Sequence, residues 1–178
     1  MHGNGLPAHG ALSGVRIADF TWLAAGPYGT QLLSFLGAEV IRFESRKRMD
    51  SYRRTSSAPG VEGRSRALLF NDVNLNKMSL TVDLSTPEGL ALALEVVRIS
   101  DVVADNFSPG VMQRLGLGYE RLRRIRPDII VISSSACGSA GPEARVVGCA
   151  PPFSARAGWG HLMGLPGLPP AEIGRGPA

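Results

Sequence analysis

Apolar residues fall in short runs separated by glycine, proline and polar turns, and the period of the pattern changes along the chain. Val15-Arg16-Ile17-Ala18-Asp19-Phe20 and Glu39-Val40-Ile41-Arg42-Phe43-Glu44 read as strands. Between them, Gly26-Pro27 opens a helix that carries Gln31, Leu32, Leu33, Phe35 and Leu36. Pro27 suits the first helical position, where a missing N–H costs nothing. Gly37 suits a left-handed cap at the other end. The order strand, helix, strand implies a right-handed parallel crossover.

A strand around Leu80 follows a polar segment and runs directly into Ser85-Thr86-Pro87-Glu88-Gly89. Thr86 is a good N-cap, with Pro87 and Glu88 in the first turn. Leu90, Ala93, Leu94 and Val97 then recur at helical spacing and are expected to face a sheet. Asp101-Val102-Val103-Ala104 reads as the next strand and ends in Asp105-Asn106-Phe107-Ser108-Pro109-Gly110. Short helices are expected over Pro109 to Leu115 and Tyr119 to Ile125, with Leu122 and Ile125 inward. Arg121, Arg123, Arg124 and Arg126 are read as a solvated helix face. Asp128-Ile129-Ile130-Val131-Ile132-Ser133 is apolar and β-branched, as in a strand buried on both sides.

After Ser135 the pattern weakens. Phe153 to Met163 has helical character, interrupted by Gly158 and Gly160. The reading is a flexible arm over 1–11, an α/β region over 12–163 and a Gly/Pro-rich tail over 164–178. The fold class is α/β: a Rossmann-like, open, mostly parallel sheet flanked by helices. Ligands of such sheets bind at the carboxyl edge of the strands, so the loops there are where function is sought.

Charge sharpens this picture. The chain carries +4 overall, but Arg46, Lys47, Arg48, Arg53, Arg54, Arg64 and Arg66 face only Asp50 and Glu62 between Ser45 and Arg66. Such a segment is either a solvated loop or a site for an anionic partner. Nucleic acid is a poor candidate for that partner, because Tyr52 is the one aromatic there for base stacking. No apolar run reaches the roughly 18 residues that span a bilayer, and no membrane role is expected. Cys137 and Cys149 are read as reduced thiols, in keeping with a cytoplasmic protein, and the chain shows no metal-ligand spacing.

Three common chemistries fail on the residues. A dinucleotide fingerprint needs Gly-x-Gly-x-x-Gly after the first strand. Here that turn is Thr21-Trp22-Leu23-Ala24-Ala25-Gly26-Pro27-Tyr28-Gly29, with misplaced glycines and a proline that removes an N–H. There is no Walker loop. Gly138-Ser139-Ala140-Gly141 resembles a nucleophile elbow only loosely and has no convincing base.

A family resemblance does emerge from pieces taken in order. They are Leu12 to Phe20, Ala25-Gly26-Pro27, Leu36 to Glu44, Asn76-Lys77 with Asp83, Thr86-Pro87-Glu88-Gly89, Asp105-Asn106-Phe107 with Pro109-Gly110, Arg114 to Tyr119, and Gly138 to Pro142. Together these resemble the N-terminal part of the class III CoA-transferases, a family that includes formyl-CoA and carnitine CoA-transferases, with 2-methylacyl-CoA racemases as relatives. The resemblance implies coenzyme A or acyl-CoA as substrate, a carboxylic acid as the other partner and no permanently bound cofactor. It places Asn106, Phe107 and Arg114 among residues that hold CoA, Lys77 beside them, and Arg46 near the adenine end. Taken alone, Asn106 reads equally as a turn former and Phe107 as a core aromatic.

The family reaction runs through an aspartyl anhydride and then an aspartyl-CoA thioester. Its aspartate follows a Gly-x-Pro-Pro loop by about ten residues. That loop matches Gly167-Leu168-Pro169-Pro170, so the catalytic aspartate is expected at or beyond Ala178, and no Asp occurs after Asp128. The racemase branch has a His-Asp pair where this chain has Cys149-Ala150, so no racemase chemistry is expected. The resemblance further implies a homodimer at full length, with a second domain and a C-terminal return that this sequence lacks. A non-catalytic CoA- or nucleotide-binding product, or a pseudoenzyme, is the alternative reading.

Overall fold

The computed structural model describes residues 10–55, 67–148 and 150–169. Residues 1–9 of the arm, Glu62, Arg64 and Arg66 of the basic segment, Cys149 and the tail from Pro170 onward lie outside them. The chain forms two compact units that divide between Ser135 and Ala136.

The first unit is an α/β sandwich around a five-stranded sheet, and every pairing in it is parallel. Its strands are β1 (Arg16–Asp19), β2 (Glu39–Glu44), β3 (Met78–Thr81), β4 (Val102–Asp105) and β5 (Ile130–Ser133). Their spatial order is β3-β2-β1-β4-β5. The chain therefore moves outward from β1 to β3, then returns to lay β4 on the other flank of β1. That reversal opens a crevice at the carboxyl ends of β1 and β4.

Helix α1 (Ala25–Phe35) connects β1 to β2. It begins ahead of Pro27, which is its third residue and still among the N–H positions that lack an intrahelical partner. Gly37, at φ 103°, provides the left-handed exit read from the sequence. A short helix α2 (Tyr52–Thr55) lies in the basic segment and another, α3 (Leu68–Asp72), follows it, on either side of undescribed residues. Helix α4 (Pro87–Arg98) starts as expected, with the Thr86 hydroxyl accepting the Gly89 N–H at 3.0 Å. Gly89 has to be glycine, because a Cβ there would lie 2.0 Å from the Asp83 carbonyl oxygen. Two further short helices, α5 (Val111–Arg114) and α6 (Tyr119–Ile125), follow β4.

Alternation along the strands makes two cores. Ala18, Phe43 and Val103 pack with Ala93 and Val97 of α4, Met112 of α5 and Leu122 of α6. Ile17, Val40, Val102 and Ala104 pack on the opposite face, toward Leu33 of α1. Phe20 stacks on Phe43 with ring centroids 4.2 Å apart.

β5 departs from the sequence reading. Ile130 is 58% exposed and Ile132 45%, so this strand is not buried on both faces. Its place at the end of the strand order gives it one neighbour, and only its Val131 face packs on a core. The face of Ile130 and Ile132 continues that of their register partners Val102 and Ala104. Apolar exposure also occurs on α1, at Tyr28, Leu32 and Phe35.

The second unit holds α7 (Ala150–Arg156) and α8 (Trp159–Leu162). The single helix suggested by the pattern over Phe153 to Met163 is broken at Gly158, which adopts φ 76°. No helix among the described residues is long and apolar enough to cross a membrane.

Candidate functional site at the carboxyl edge of the sheet

The turn from β1 to α1 meets the loop after β4 at the crevice. Asn106 joins them: its Oδ1 accepts the Trp22 N–H at 2.7 Å, and its Nδ2 donates to the Trp22 carbonyl at 2.7 Å. Phe107 packs partly on the core and meets Trp22 edge-on at 5.8 Å. The Asp105 carboxylate accepts the Phe107 N–H at 3.1 Å and the Ser133 hydroxyl at 2.6 Å, which fixes the start of this loop. Gly26 is needed for the close approach, since a Cβ would lie 2.5 Å from Thr21 Cβ and 3.0 Å from Asn106 Cγ.

Beneath this turn lies a layer of buried charge. Asp19, at the end of β1, is fully buried. Its Oδ1 accepts the Thr21 N–H at 2.9 Å, and its Oδ2 accepts the Thr30 hydroxyl at 2.7 Å and the Lys77 ammonium at 3.0 Å. Lys77 precedes β3, and its side chain, 2% exposed, runs under the first turns of α1. There it also donates to the Pro27 carbonyl, Thr30 Oγ1 and Asn74 Oδ1 at 2.8–3.0 Å. An ammonium has fewer N–H donors than these acceptors, so Lys77 is spent within the fold. Burial pushes its pKa down from 10.5 to about 8, against the opposing pull of Asp19.

A second buried pair stands beside the first. Arg42 is the register partner of Asp19 on β2. Its Nη2 donates to Asp50 Oδ2 at 2.7 Å, and both side chains are nearly inaccessible. Asp50 Oδ2 also accepts the Leu23 N–H at 3.0 Å, and Oδ1 accepts the Tyr52 N–H at 3.0 Å. Leu23 has φ 62°, a left-handed conformation that costs a non-glycine residue roughly 1–2 kcal/mol. Arg42 Nε and Nη1 have no hydrogen-bond partner among the described residues, and the guanidinium lies 4.9 Å from the Phe70 ring centre.

The outer layer is cationic. A cleft of about 320 Å3 is lined by Glu44, Ser45, Arg46, Met49, Arg53, Ser79 and Thr81. That lies at the small end of ligand pockets. Within it, Arg53 makes a bidentate pair with Glu44 at 2.6 and 2.8 Å and stacks on Phe70 at 3.5 Å. Arg46 is exposed and makes no ion pair among the described residues. Arg48 lies 5.7 Å from the Trp22 ring centre. Arg114, on α5, is also exposed, and a Cβ on Gly110 would lie 3.1 Å from its guanidinium.

The structure thus brings Asn106 and Phe107 together at the crevice, with Arg46 and Arg114 on exposed surface along the same edge. It places Lys77 under α1, inside the buried layer. Sequence reading gave no role to Asp19, Arg42 or Asp50. Asp19 and Arg42 carried a signal, being charges inside otherwise apolar strands. Asp50 carried none beyond its sign, because the groups it joins are distant in sequence. Among the described residues, no group of His, Cys, Asp and Glu could hold a metal ion.

Comparison with known proteins agrees with this architecture. A CAIB/BAIF family protein from Brucella suis superposes with a TM-score of 0.84 at 34% identity, over 93% of this chain and 44% of that one. An acetyl-CoA:oxalate CoA-transferase from Acetobacter aceti is 38% identical over 165 residues, 93% of this chain and 41% of its own length. A succinyl-CoA:glutarate CoA-transferase from Mus musculus is 39% identical over 153 residues, 86% of this chain and 34% of its own length. The chain therefore spans roughly two-fifths or less of the curated relatives it matches. The model of CoA-transferase family III matches residues 12–177, nearly the whole sequence, and the chain belongs to that family.

Proposed function

We propose that the protein binds coenzyme A along the carboxyl edge of its sheet and serves in moving CoA from an acyl-CoA thioester to a free carboxylic acid. The observation that carries this reading is that two exposed guanidinium groups, Arg46 and Arg114, have no ion-pair partner among the described residues, while the inner charges Asp19, Lys77, Arg42 and Asp50 are paired. A diphosphate and a 3′-phosphate are ligands for such groups, through charge-assisted hydrogen bonds. Phe107 and Trp22, in edge-on contact at the crevice, offer apolar surface. Asn106 and Lys77 keep the turn beside the ligand in place.

The chemistry would follow the family pattern. An aspartate attacks the thioester carbonyl and expels CoA thiolate, leaving a mixed anhydride. The thiolate attacks the aspartyl carbonyl of that anhydride and releases the donor acid. The acceptor carboxylate then takes CoA from the resulting aspartyl thioester. A carboxylate serves as a nucleophile only when positioned and desolvated. We place it at or after Ala178, and the working form as a cytoplasmic homodimer. A non-catalytic CoA-binding protein is the second reading.

Calorimetry with CoA and dephospho-CoA tests binding. Binding is expected, and Arg114→Ala is expected to weaken it about tenfold, as for loss of a charge-assisted contact. No binding of either ligand would end the CoA reading. A transfer assay with an acyl-CoA, a panel of free acids and hydroxylamine to trap an acyl anhydride separates enzyme from binding protein.

A further inference from the structure

The backbone of Thr21, Trp22 and Leu23 is held at each N–H by a different side chain. Asp19 takes that of Thr21 at 2.9 Å, Asn106 that of Trp22 at 2.7 Å, and Asp50 that of Leu23 at 3.0 Å. Asp19 belongs to the same strand, and Asn106 to the loop that meets it across the crevice. Asp50 comes from elsewhere, inside the cationic segment after β2. It grips the residue that most needs holding, because Leu23 is left-handed at φ 62° and its side chain can offer no local hydrogen bond in compensation. Directly after Leu23, Ala24 is the N-cap of α1 and makes no side-chain cap hydrogen bond.

Asp50 is itself fixed, buried and held by Arg42 Nη2 at 2.7 Å and by the Tyr52 N–H at 3.0 Å. Its two oxygens divide the work. Oδ1 starts α2, which any turn-forming Asp would do. Oδ2 reaches across to Leu23, which a local turn does not require. The segment flanked by Arg46 and Arg54 is thereby tied to the floor of the crevice through one carboxylate.

We propose that Asp50 is a positioning residue for the CoA site: it sets the left-handed Leu23 turn and couples the cationic segment to the start of α1. The proposal rests on the CoA-binding reading above. The test is residue-resolved amide hydrogen exchange and CoA titration on the full chain. Asp50→Ala is expected to speed exchange at the Leu23 N–H at least tenfold while Trp22, still held by Asn106, keeps its rate. CoA affinity should fall at least fivefold. Asp50→Asn, whose amide oxygen can still accept from Leu23, should recover part of both effects. In a Leu23→Gly background, where the left-handed backbone has no steric cost, Asp50→Ala should change CoA affinity less than twofold.

An unchanged Leu23 rate in Asp50→Ala would overturn the proposal. So would a uniform rise at Leu23, Trp22 and the core strands, which marks a merely structural role. An equal loss of affinity with and without Leu23→Gly would do the same. Should the unaltered protein bind no CoA, the functional reading falls and the coupling with it. The exchange comparison still decides whether Asp50 sets the turn.

Discussion

The carboxyl edge of the sheet has an inner and an outer layer built from the same residue types used in opposite ways. Asp19, Lys77, Arg42 and Asp50 are buried and paired; Asp19, Asp50 and Lys77 grip backbone atoms of the β1–α1 turn and the start of α1, and Arg42 holds Asp50. Arg46, Lys47, Arg48 and Arg114 are exposed, and their pairings are loose, as in Lys47 to Asp83 at 3.6 Å. A charge taken out of water is costly without a partner, so the inner layer is largely spent within the fold, although Arg42 Nε and Nη1 lack a hydrogen-bond partner among the described residues. A charge left in water gains little from an internal partner, so the outer layer remains available. Shape is thus held by the buried cations while the exposed ones are left to solvent, and burial separates them where residue type does not.

The sharpest way to break this division is to remove an inner charge. Lys77→Met leaves the fully buried Asp19 carboxylate without its cation and takes one donor from the Pro27 carbonyl, which keeps the Thr30 hydroxyl at 3.1 Å. A loss of about 3–5 kcal/mol is expected, as for a buried pair broken on one side. Urea unfolding measures it. Removing both partners with Asp19→Asn/Lys77→Met should cost less than Lys77→Met alone. If Lys77→Met is neutral, the pair is not what holds the turn.

A smaller effect is expected where the turn meets the β4 loop. Gly26→Ala puts a methyl 2.5 Å from Thr21 Cβ and 3.0 Å from Asn106 Cγ. The Thr21 side chain is buried and bonded to Asp19, so it cannot step aside freely. Overpacking of this kind costs roughly 1–3 kcal/mol. The nearby Gly29→Ala, with nothing within 4 Å of the added Cβ, is the control and should not destabilise the fold. Equal melting temperatures for the two variants would show that the crevice tolerates expansion.

How much of this edge could be read in the sequence depended on the range of the interaction. Local chemistry was legible: Thr86 caps α4, Gly37 closes α1, and Gly158 breaks a helical pattern. Alternation gave the strands, and the family pieces gave Asn106 and Phe107 as neighbours of the crevice. Partners in space were not legible. Nothing in the Asn76-Lys77 dipeptide says that its ammonium lies against Asp19, 58 residues earlier. The basic segment looked uniform, yet Arg53 is locked onto Glu44 and Phe70 while Arg46 is exposed. The apolar run of β5 promised burial on both faces, but burial depends on strand order, which periodicity does not encode.

The inner layer also leaves a signature in pH. Lys77 titrates at about 8 in the folded chain, against 10.5 when unfolded, because burial disfavours its charged form. Between those values the unfolded state binds more protons, so the contribution of this group to stability rises with pH across that window. Below pH 8 both states are protonated and the contribution is flat. The slope is at most about 1.4 kcal/mol per pH unit for one group. Unfolding free energies at pH 7.5 and 9.5 should differ by more in the unaltered protein than in Lys77→Met. Equal differences would mean that Lys77 titrates at its ordinary pKa.

The smallest effect on stability is expected at Arg46, set against Arg53 of the same segment. Arg53→Ala removes a bidentate partner from Glu44, whose side chain is 11% exposed, and takes the nearer of two guanidinium groups from the Phe70 ring. About 1–3 kcal/mol is expected for a buried charged acceptor left without its donor. Arg46→Ala removes an exposed guanidinium from the same cleft and should change stability by less than about 0.5 kcal/mol. Ligand binding should reverse the ranking, because only the outer arginine is free to meet a phosphate. CoA affinity measured across a salt series should therefore lose part of its salt dependence in Arg46→Ala, as expected when one phosphate contact disappears. An Arg46 variant that is as unstable as the Arg53 variant, or that binds CoA with unaltered salt dependence, would erase the distinction between the layers at the point where they lie closest.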